Sequence, residues 1–195
     1  MSARSVRTTR LDLVDFAADD VDLLVELDSD AEVMHHVTGG LPTPRDEIVD
    51  DVLPAFLAYA DRYPQGYGFW KAVERSTGEV VGWFHLRPGD GHPADEPELG
   101  YRLRRSAWGR GLATEGSIAL VEAAFRRMGA RRVVAETMVV HTASRRVMEK
   151  AGLRLVRTFH QPWPYPIPGD EEGDVEYAIT RDEWMARASE PPPGA

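Results

Sequence analysis

The segment Arg104-Arg105-Ser106-Ala107-Trp108-Gly109-Arg110-Gly111-Leu112-Ala113-Thr114-Glu115 joins a predicted strand to the start of an amphipathic helix. Glycines allow the backbone to approach a ligand closely, and the first N–H groups of a helix have no partner within the helix. Together with the helix dipole, these amides can bind a phosphate or pyrophosphate, and Arg105 and Arg110 can add charge-assisted hydrogen bonds. A glycine-rich turn that only starts a helix is the alternative, and the segment alone does not decide between the two.

Two other phosphate-binding motifs are excluded by the residues at this junction. A dinucleotide-binding fingerprint requires glycine where Thr114 stands, and it normally occupies the first strand–turn–helix of a domain. A Walker A loop requires Gly-Lys-Ser or Gly-Lys-Thr, which does not occur in this sequence.

Predicted strands precede the segment, and strands and helices alternate after it. The turn Ser76-Thr77-Gly78 joins two of the earlier strands as an antiparallel hairpin. Gly129 stands as the residue after the helix that begins at Leu112, and Pro54 is expected to bend or end an earlier helix. The predicted strands are 10–14, 68–74, 79–86, 98–103, 133–139, 155–159 and 175–180, and the predicted helices begin at Asp19 and Pro44 and span 112–128 and 143–150.

This order predicts one α+β domain built on a mixed, mostly antiparallel central sheet that is flanked by helices. A length of 195 residues is that of a single ordinary domain. The domain is expected to span residues 9–186, between disordered tails at 1–8 and 187–195.

Composition and charge exclude several classes of function. The sequence has no cysteine, which excludes disulfides, thiolate metal sites and a cysteine nucleophile. The net charge of −9 disfavours nucleic acid as a partner. The first residues lack the apolar run of a signal peptide, and no apolar run is long enough to cross a membrane, so a cytoplasmic location is expected. No metal-binding pattern occurs, because His35 and His36 are adjacent and His-Glu-x-x-His is absent.

The charges are also distributed unevenly along the chain. Basic residues cluster at 102–110 and at 145–146, whereas acidic residues concentrate at 12–51 and at 170–176. This distribution suits an anionic cofactor at one end of a site and a cationic acceptor at the other, although solvated surface charge would give the same pattern.

Three stretches in order resemble the signatures of the GNAT N-acetyltransferases, in particular the RimJ/RimL-like branch named after ribosomal-protein alanine N-acetyltransferases. They are Glu-Leu-Gly-Tyr-Arg-Leu at 98–103, Trp-Gly-Arg-Gly-Leu-Ala-Thr-Glu at 108–115 and Thr-Ala-Ser-Arg-Arg-Val-Met-Glu-Lys-Ala-Gly-Leu at 142–153. The resemblance covers about residues 9–184. It implies a three-layer fold with a splayed pair of parallel strands, acetyl-CoA as co-substrate and a small-molecule or peptide amine as acceptor.

The resemblance also implies which residues contact coenzyme A. Backbone amides from Gly109 to Thr114 would bind the pyrophosphate, and Leu103 and Arg104 would pair with the pantetheine arm as a strand does. His141 stands where the branch usually has an asparagine that contacts pantetheine, and imidazole ordinarily titrates near neutral pH. The full set of implied cofactor contacts is Leu103, Arg104, Arg105, Trp108, Gly109, Arg110, Gly111, Ala113, Thr114, His141 and Ser144.

Two residues match catalytic positions of relatives. The reaction requires an uncharged amine, so a carboxylate near the acceptor can act as general base, and Glu98 matches that position. Ser144 matches the serine that relatives direct at the sulfur as proton donor. An exposed charge at a strand end and a helix-capping hydroxyl are the respective alternatives.

A long, proline-rich connection at 160–172 is typical of a binding loop. We expect Trp163, Tyr165 and the acidic residues at its end to form the acceptor pocket or a homodimer contact. Two rival functions stay open at this point, a non-catalytic acyl-CoA-binding module and a nucleotide-binding oxidoreductase.

Overall fold

The computed structural model of the chain describes residues 4–89, 92–164 and 166–189. Its strands form one mixed sheet in the order β1-β2-β3-β4-β5-β6-β8-β7, in which only β5 and β6 are parallel neighbours. This arrangement confirms the predicted fold class. The strands are β1 Val6–Arg7, β2 Leu11–Asp15, β3 Gly68–Glu74, β4 Val80–Pro88, β5 Pro97–Leu103, β6 Arg132–Met138, β7 Arg154–Phe159 and β8 Asp174–Thr180.

Helices cover both faces of the sheet and give the molecule three layers. They are α1 Val21–Asp28, α2 Ala31–Thr38, α3 Arg45–Glu47, α4 Leu53–Arg62, α5 Leu112–Arg126, α6 Thr142–Lys150 and α7 Arg181–Ser189. A π-helical turn, Ile48–Val52, connects α3 to α4 directly before Pro54. Proline cannot donate its backbone nitrogen and clashes with the preceding turn, so the wider π turn is the bend that Pro54 predicts.

The main core lies between the sheet and α5. Leu112, Leu120 and Phe125 of this helix pack on buried strand residues such as Phe84 and Tyr177. At Gly116 the helix approaches β4 so closely that a Cβ atom would lie 2.4 Å from the Phe84 ring. A smaller core on the opposite face joins Leu24, Phe69 and Trp83 beneath the N-terminal helices. The N-terminal helices and α5 therefore fix the two faces of the same strands.

The parallel pair β5 and β6 separates almost at once. Glu98 and Val134 form the one paired position between these strands. Every other pair of neighbouring strands is aligned over two or more positions. The sheet is thus open at its centre, on the C-terminal side of Glu98, as the resemblance implies.

The boundaries predicted for the tails are wrong in the described residues. Val6 and Arg7 form β1, and Val6 is buried in the main core, so residues 6–7 belong to the sheet. At the other end α7 extends to Ser189, and the Trp184 ring lies 5.5 Å from that of Phe125. Short apolar contacts fix both ends, and α2 is a further helix that the sequence pattern did not predict. Residues 1–3 and 190–195 lie outside the described residues.

Candidate active site

A cavity of about 890 Å³ opens where β5 and β6 diverge. Its wall is formed by strands β4, β5, β6 and the first residue of β8, by α6, the start of α5 and the loop before it, by one side of α2, and by the connection between β7 and β8. Tyr165 lies outside the described residues, and Arg104, Arg105 and Arg110 do not line the cavity. The predicted site residues that do line it are Glu98, Leu103, Trp108, Gly109, Gly111, Ala113, Thr114, His141, Ser144 and Trp163.

The start of α5 presents backbone N–H groups to one end of the cavity. Gly111, the residue before the helix, has φ +77°, and Gly109 has φ +71°, a conformation that other residues adopt with strain. The first helical hydrogen bond is donated by Glu115 to the Gly111 carbonyl, and no described side chain caps the helix. The amides of Leu112, Ala113 and Thr114 are therefore available to an anion.

The arginines around this loop hold it in place. Arg105 Nε lies 2.9 Å from Asp30 Oδ2, and the Arg110 guanidinium pairs with Glu74. Arg10 donates to the Arg110 carbonyl at 2.8 Å and to Glu115 at 2.6 Å. Arg105 and Arg110 thus form ion pairs that fix the loop to the start of α2 and to β3, while both side chains remain partly exposed.

The end of β5 offers less of its backbone than the resemblance implies. The Trp108 indole donates to the Leu103 carbonyl at 2.8 Å, so this exposed ring fastens the loop to the strand. The Arg104 amide donates to Val81, its carbonyl accepts from Ala107, and its side chain pairs with Glu26. Arg104 is thus fully engaged within the protein, whereas Leu103 still lines the cavity.

Ser144 meets a tyrosine near the middle of the cavity. The Tyr101 hydroxyl lies 2.9 Å from Ser144 Oγ and 3.1 Å from the Ser144 carbonyl oxygen. The residue before α6 is His141 and no side chain caps that helix, so the capping alternative for Ser144 is not supported. Burial raises the pKa of Tyr101 to about 12, and the phenol is therefore protonated at neutral pH. Tyr101 lies within the stretch 98–103 that resembles the family signature, but the resemblance assigned it no role.

His141 stacks on a residue of α2. The ring centroids of His36 and His141 are 4.2 Å apart with an interplanar angle of 25°. Burial, followed by the neighbouring imidazoles of His36 and His35, lowers the pKa of His141 to about 4. The stacked, half-buried His141 ring is therefore neutral at pH 7.

A chain of polar side chains leads to Glu98. Arg87 Nη2 lies 3.6 Å from Glu98 Oε2, and Arg87 Nε donates to His85 Nδ1 at 3.1 Å. Burial, and then the charges of Arg87 and Arg102, hold the pKa of His85 well below its ordinary value. Because His85 Nδ1 accepts a hydrogen bond, its proton is on Nε2, which occupies the space that a side chain at Gly100 would need.

His85 and Arg87 were missed from the sequence although a signal existed. They alternate with buried apolar residues on β4, so the same face of a central strand carries Trp83, His85 and Arg87. Polar residues at consecutive inward positions of such a strand are unusual without a ligand or partner.

Two further carboxylates line the same end of the cavity. Burial, followed by the charges of Glu98 and Glu176, raises the pKa of Glu136. Asp174 is 1% exposed, and burial raises its pKa too. The acidic run at 170–172 does not line the cavity, so of the predicted acceptor loop it is Gln161 and Trp163 that reach it.

Two further findings limit the kind of site. Among the described residues, no group of three histidine, aspartate or glutamate side chains is placed to hold a metal ion. Within the same residues, no helix is long and apolar enough to cross a membrane.

Comparison with known proteins gives consistent matches. A model of the acetyltransferase (GNAT) domain matches residues 10–154. The FsC-acetyl coenzyme A-N(2)-transacetylase of Aspergillus fumigatus is 37% identical over 187 residues, covering 93% of this chain and 78% of the relative. An acetyltransferase from Agrobacterium tumefaciens superposes with a TM-score of 0.71 at 26% identity, covering 92% of this chain and 95% of its own. The ribosomal-protein acetyltransferase RimL, solved with coenzyme A, gives 0.72 at 22% identity over 92% and 99%.

Proposed function

Because this chain belongs to the GNAT acetyltransferase family, we propose that it transfers an acetyl group from acetyl-CoA to a primary amine by direct attack in a ternary complex. The observation that carries this proposal is the single cavity, which joins an anion-binding helix start to a set of carboxylates through Ser144 and Tyr101. A ternary complex requires one continuous cavity that binds the diphosphate of the donor at one end and the ammonium group of the acceptor at the other.

The residues present fit coenzyme A. The unpartnered amides of 112–114 suit its diphosphate, and the open edge of β5 beyond Glu98 suits an extended arm. When bound, acetyl-CoA supplies an activated acyl group as a thioester. The contribution of the chain is to hold that thioester in the gap between β5 and β6.

Glu98 is proposed as the base, directly or through water. An α-amine has a pKa of about 8 and a lysine-like amine about 10, so most of the acceptor is protonated at neutral pH. A carboxylate near the amine accepts this proton as attack begins. Arg87 orients Glu98, and neutral His85 orients Arg87 in turn.

Ser144 and Tyr101 are proposed to protonate the departing thiolate. Either oxygen can donate in their 2.9 Å contact, and Tyr101 holds its proton at neutral pH. The pair therefore delivers a proton at one fixed place in the cavity. The stacked, neutral rings of His141 and His36 border the same place without adding charge.

Similarity to relatives narrows the acceptor further. The name of the Aspergillus fumigatus relative specifies acetylation at a nitrogen designated N(2), which in amino acids is the α-amino nitrogen. We extend this to the chain and propose an α-amine of a small molecule or peptide, within the RimJ/RimL-like branch and in the cytoplasm. The 160–172 connection would, through Trp163, border the acceptor or form a homodimer contact, and Tyr165, the second aromatic residue predicted for this role, lies outside the described residues.

Coenzyme A binding and thiol release test the proposal together. Acetyl-CoA is mixed with a panel of amines, and released thiol is measured with a colorimetric reagent, which the cysteine-free protein does not consume. Glu98→Gln and Ser144→Ala should each lower kcat by about 10²-fold or more, and in Glu98→Gln, which leaves every implied coenzyme A contact in place, coenzyme A affinity by calorimetry should stay within error. A matched change at the exposed Glu122→Gln should leave both values unchanged.

The rival function, a non-catalytic acyl-CoA-binding module, predicts tight coenzyme A binding without thiol release for any amine. Absence of coenzyme A binding would refute both readings. The oxidoreductase reading is disfavoured by the family match.

A further inference from the structure

Three carboxylates of the cavity lie on one face of the sheet, and we call Glu98, Glu136 and Asp174 the carboxylate diagonal. Their neighbours Leu99, Ala135 and Val175 pack into the main core on the other face, so side-chain alternation turns all three towards the cavity. Each comes from a different strand, β5, β6 and β8.

The strand register gives their spacing. Glu98 is aligned with Val134, two residues before Glu136, and Met138, two residues after Glu136, is aligned with Asp174. With strands about 4.8 Å apart and a rise of about 3.3 Å per residue, each step along the carboxylate diagonal is roughly 8 Å between Cα atoms. The three groups are thus arranged in a row that leads away from Glu98.

Asp174 is a buried carboxylate with no arginine or lysine paired to it among the described residues. It is 1% exposed, and neither oxygen accepts a hydrogen bond of normal geometry from any described residue. Burial raises its pKa, and weaker hydrogen bonds from Gln161 and Trp163, together with the charge of His160, offset part of that effect. The Trp163 side chain lines the same cavity, and its indole N–H makes only this loose contact to Asp174.

The neighbouring carboxylate Glu176 shows what the fold does when a buried acid is structural. Arg132 and Arg157 lie 2.5 and 2.6 Å from its two oxygens, and Glu176 does not line the cavity. Glu136, directly opposite Glu176, lies 3.9 Å from the same Arg157, and this is its one ion pair with an arginine or lysine among the described residues. Arg157 and Arg132 bind Glu176 closely and Arg87 pairs with Glu98, so Glu136 and Asp174 keep negative charge that a ligand can neutralise.

We propose that Glu136 and Asp174 form a subsite for a second cationic group of the acceptor, so that the preferred acceptors are amines with a positive charge beyond the reacting nitrogen. This inference rests on the proposed function, because it places the reacting amine at Glu98. The second ammonium group would lie near Glu136 or Asp174, with Gln161 and Trp163 beside it.

A series of acceptors of equal length tests the subsite. The probes are 1,6-diaminohexane, 6-amino-1-hexanol and 6-aminohexanoate, whose far ends are positive, neutral and negative. The wild-type protein should prefer the diamine to the alcohol by about tenfold or more in kcat/KM, and the aminohexanoate should be poorest. In Asp174→Asn, Glu136→Gln and the double variant, the preference for the diamine over the alcohol should fall towards unity, because kcat/KM should fall more for the diamine than for the alcohol.

Glu122→Gln is the matched control, since it removes the same charge from an exposed residue of α5 outside the cavity. It should keep the preference. A second readout does not need turnover: calorimetry should detect 1,6-diaminohexane binding to coenzyme A-saturated wild-type protein and a loss of about tenfold or more in the double variant.

The outcomes separate the two proposals. Thiol release with equal efficiency for all three probes, or an unchanged preference in the double variant, would overturn the subsite and leave the acetyltransferase function standing. No thiol release with any amine would count against the function, and in that case the calorimetric comparison still decides whether Glu136 and Asp174 bind a diamine.

Discussion

The pKa values of Asp174 and Glu176 shift in opposite directions, although the two residues are only two positions apart on β8. Burial raises the pKa of Asp174. Burial alone would raise the pKa of Glu176 as well, but hydrogen bonds from Arg157 and Arg132 outweigh it and lower that pKa. The folded protein therefore disfavours the ionised form of Asp174 and favours the ionised form of Glu176.

Asp174→Asn should accordingly raise the free energy of unfolding at pH 7. Because the folded-state pKa of Asp174 is raised, its destabilising effect is present above that pKa and disappears as the pH falls through it. Glu176→Gln should instead destabilise by about 1–3 kcal/mol at pH 7, and that difference should fade on acidification because its folded-state pKa is depressed.

Urea unfolding of the wild type and both variants at pH 7 and pH 4 measures these differences. A lower stability of Asp174→Asn at pH 7 would show that interactions in the folded protein stabilise the ionised carboxylate.

The site residues that could be predicted from the sequence lie in continuous motifs, as Glu98 and Ser144 do. Asp174 could not be found in this way, because its burial depends on β6 and β7, which are distant in sequence.

At the scale of elements, most strands were predictable because their turns and alternation are local. The predicted strand 68–74 coincides with β3, and the helix predicted from 112 begins where α5 does. By contrast, α2 was not predicted. Its buried apolar residues Val33 and Met34 are adjacent in sequence, and the helix ends after eight residues at a pair of glycines. This helix contributes the His36 ring, which stacks on His141, and a tertiary contact of this kind leaves no local pattern in the sequence.

The packing of α5 on β4 gives a prediction at this scale. Gly116→Ala should destabilise the protein by about 1–3 kcal/mol, because the new methyl group meets the buried Phe84 ring, although alanine favours the helix by up to about 1 kcal/mol. Chemical denaturation measures the change. In a Phe84→Leu background the same substitution should cost less, and equal costs in both backgrounds would contradict a clash at this contact.

At the scale of the whole molecule, the N-terminal segment connects layers that are far apart in sequence. Val6 is buried in the main core, and Arg4 pairs with Asp15. Thr8 Oγ1 lies 2.6 Å from a carboxylate oxygen of Glu115, in the first turn of α5. Burial alone would raise the pKa of Glu115, but hydrogen bonds from Thr8 and Arg10 lower it. The sequence-based boundary at residue 9 overlooked these contacts because a two-residue strand has no periodicity to detect.

Deleting residues 1–8 should therefore lower the free energy of unfolding by at least about 2 kcal/mol and weaken coenzyme A binding, because the start of α5 loses one of its supports. Thermal unfolding with and without coenzyme A measures both effects. Val6→Ala is the partial control, as it removes core contacts but keeps Thr8. Unchanged melting and affinity in the deletion would show that this segment is dispensable.

Because β5 and β6 separate early, the sheet has four strand edges, whereas an ordinary open sheet has two. The two outer edges disfavour pairing with other proteins, since β1 has only two residues and β7 carries Arg154 and Arg157. The two inner edges need no such protection, because they face each other across a cleft inside the molecule. An unpaired strand edge, elsewhere a risk of aggregation, is enclosed here, and under the proposed function it would pair with an extended arm of the bound donor.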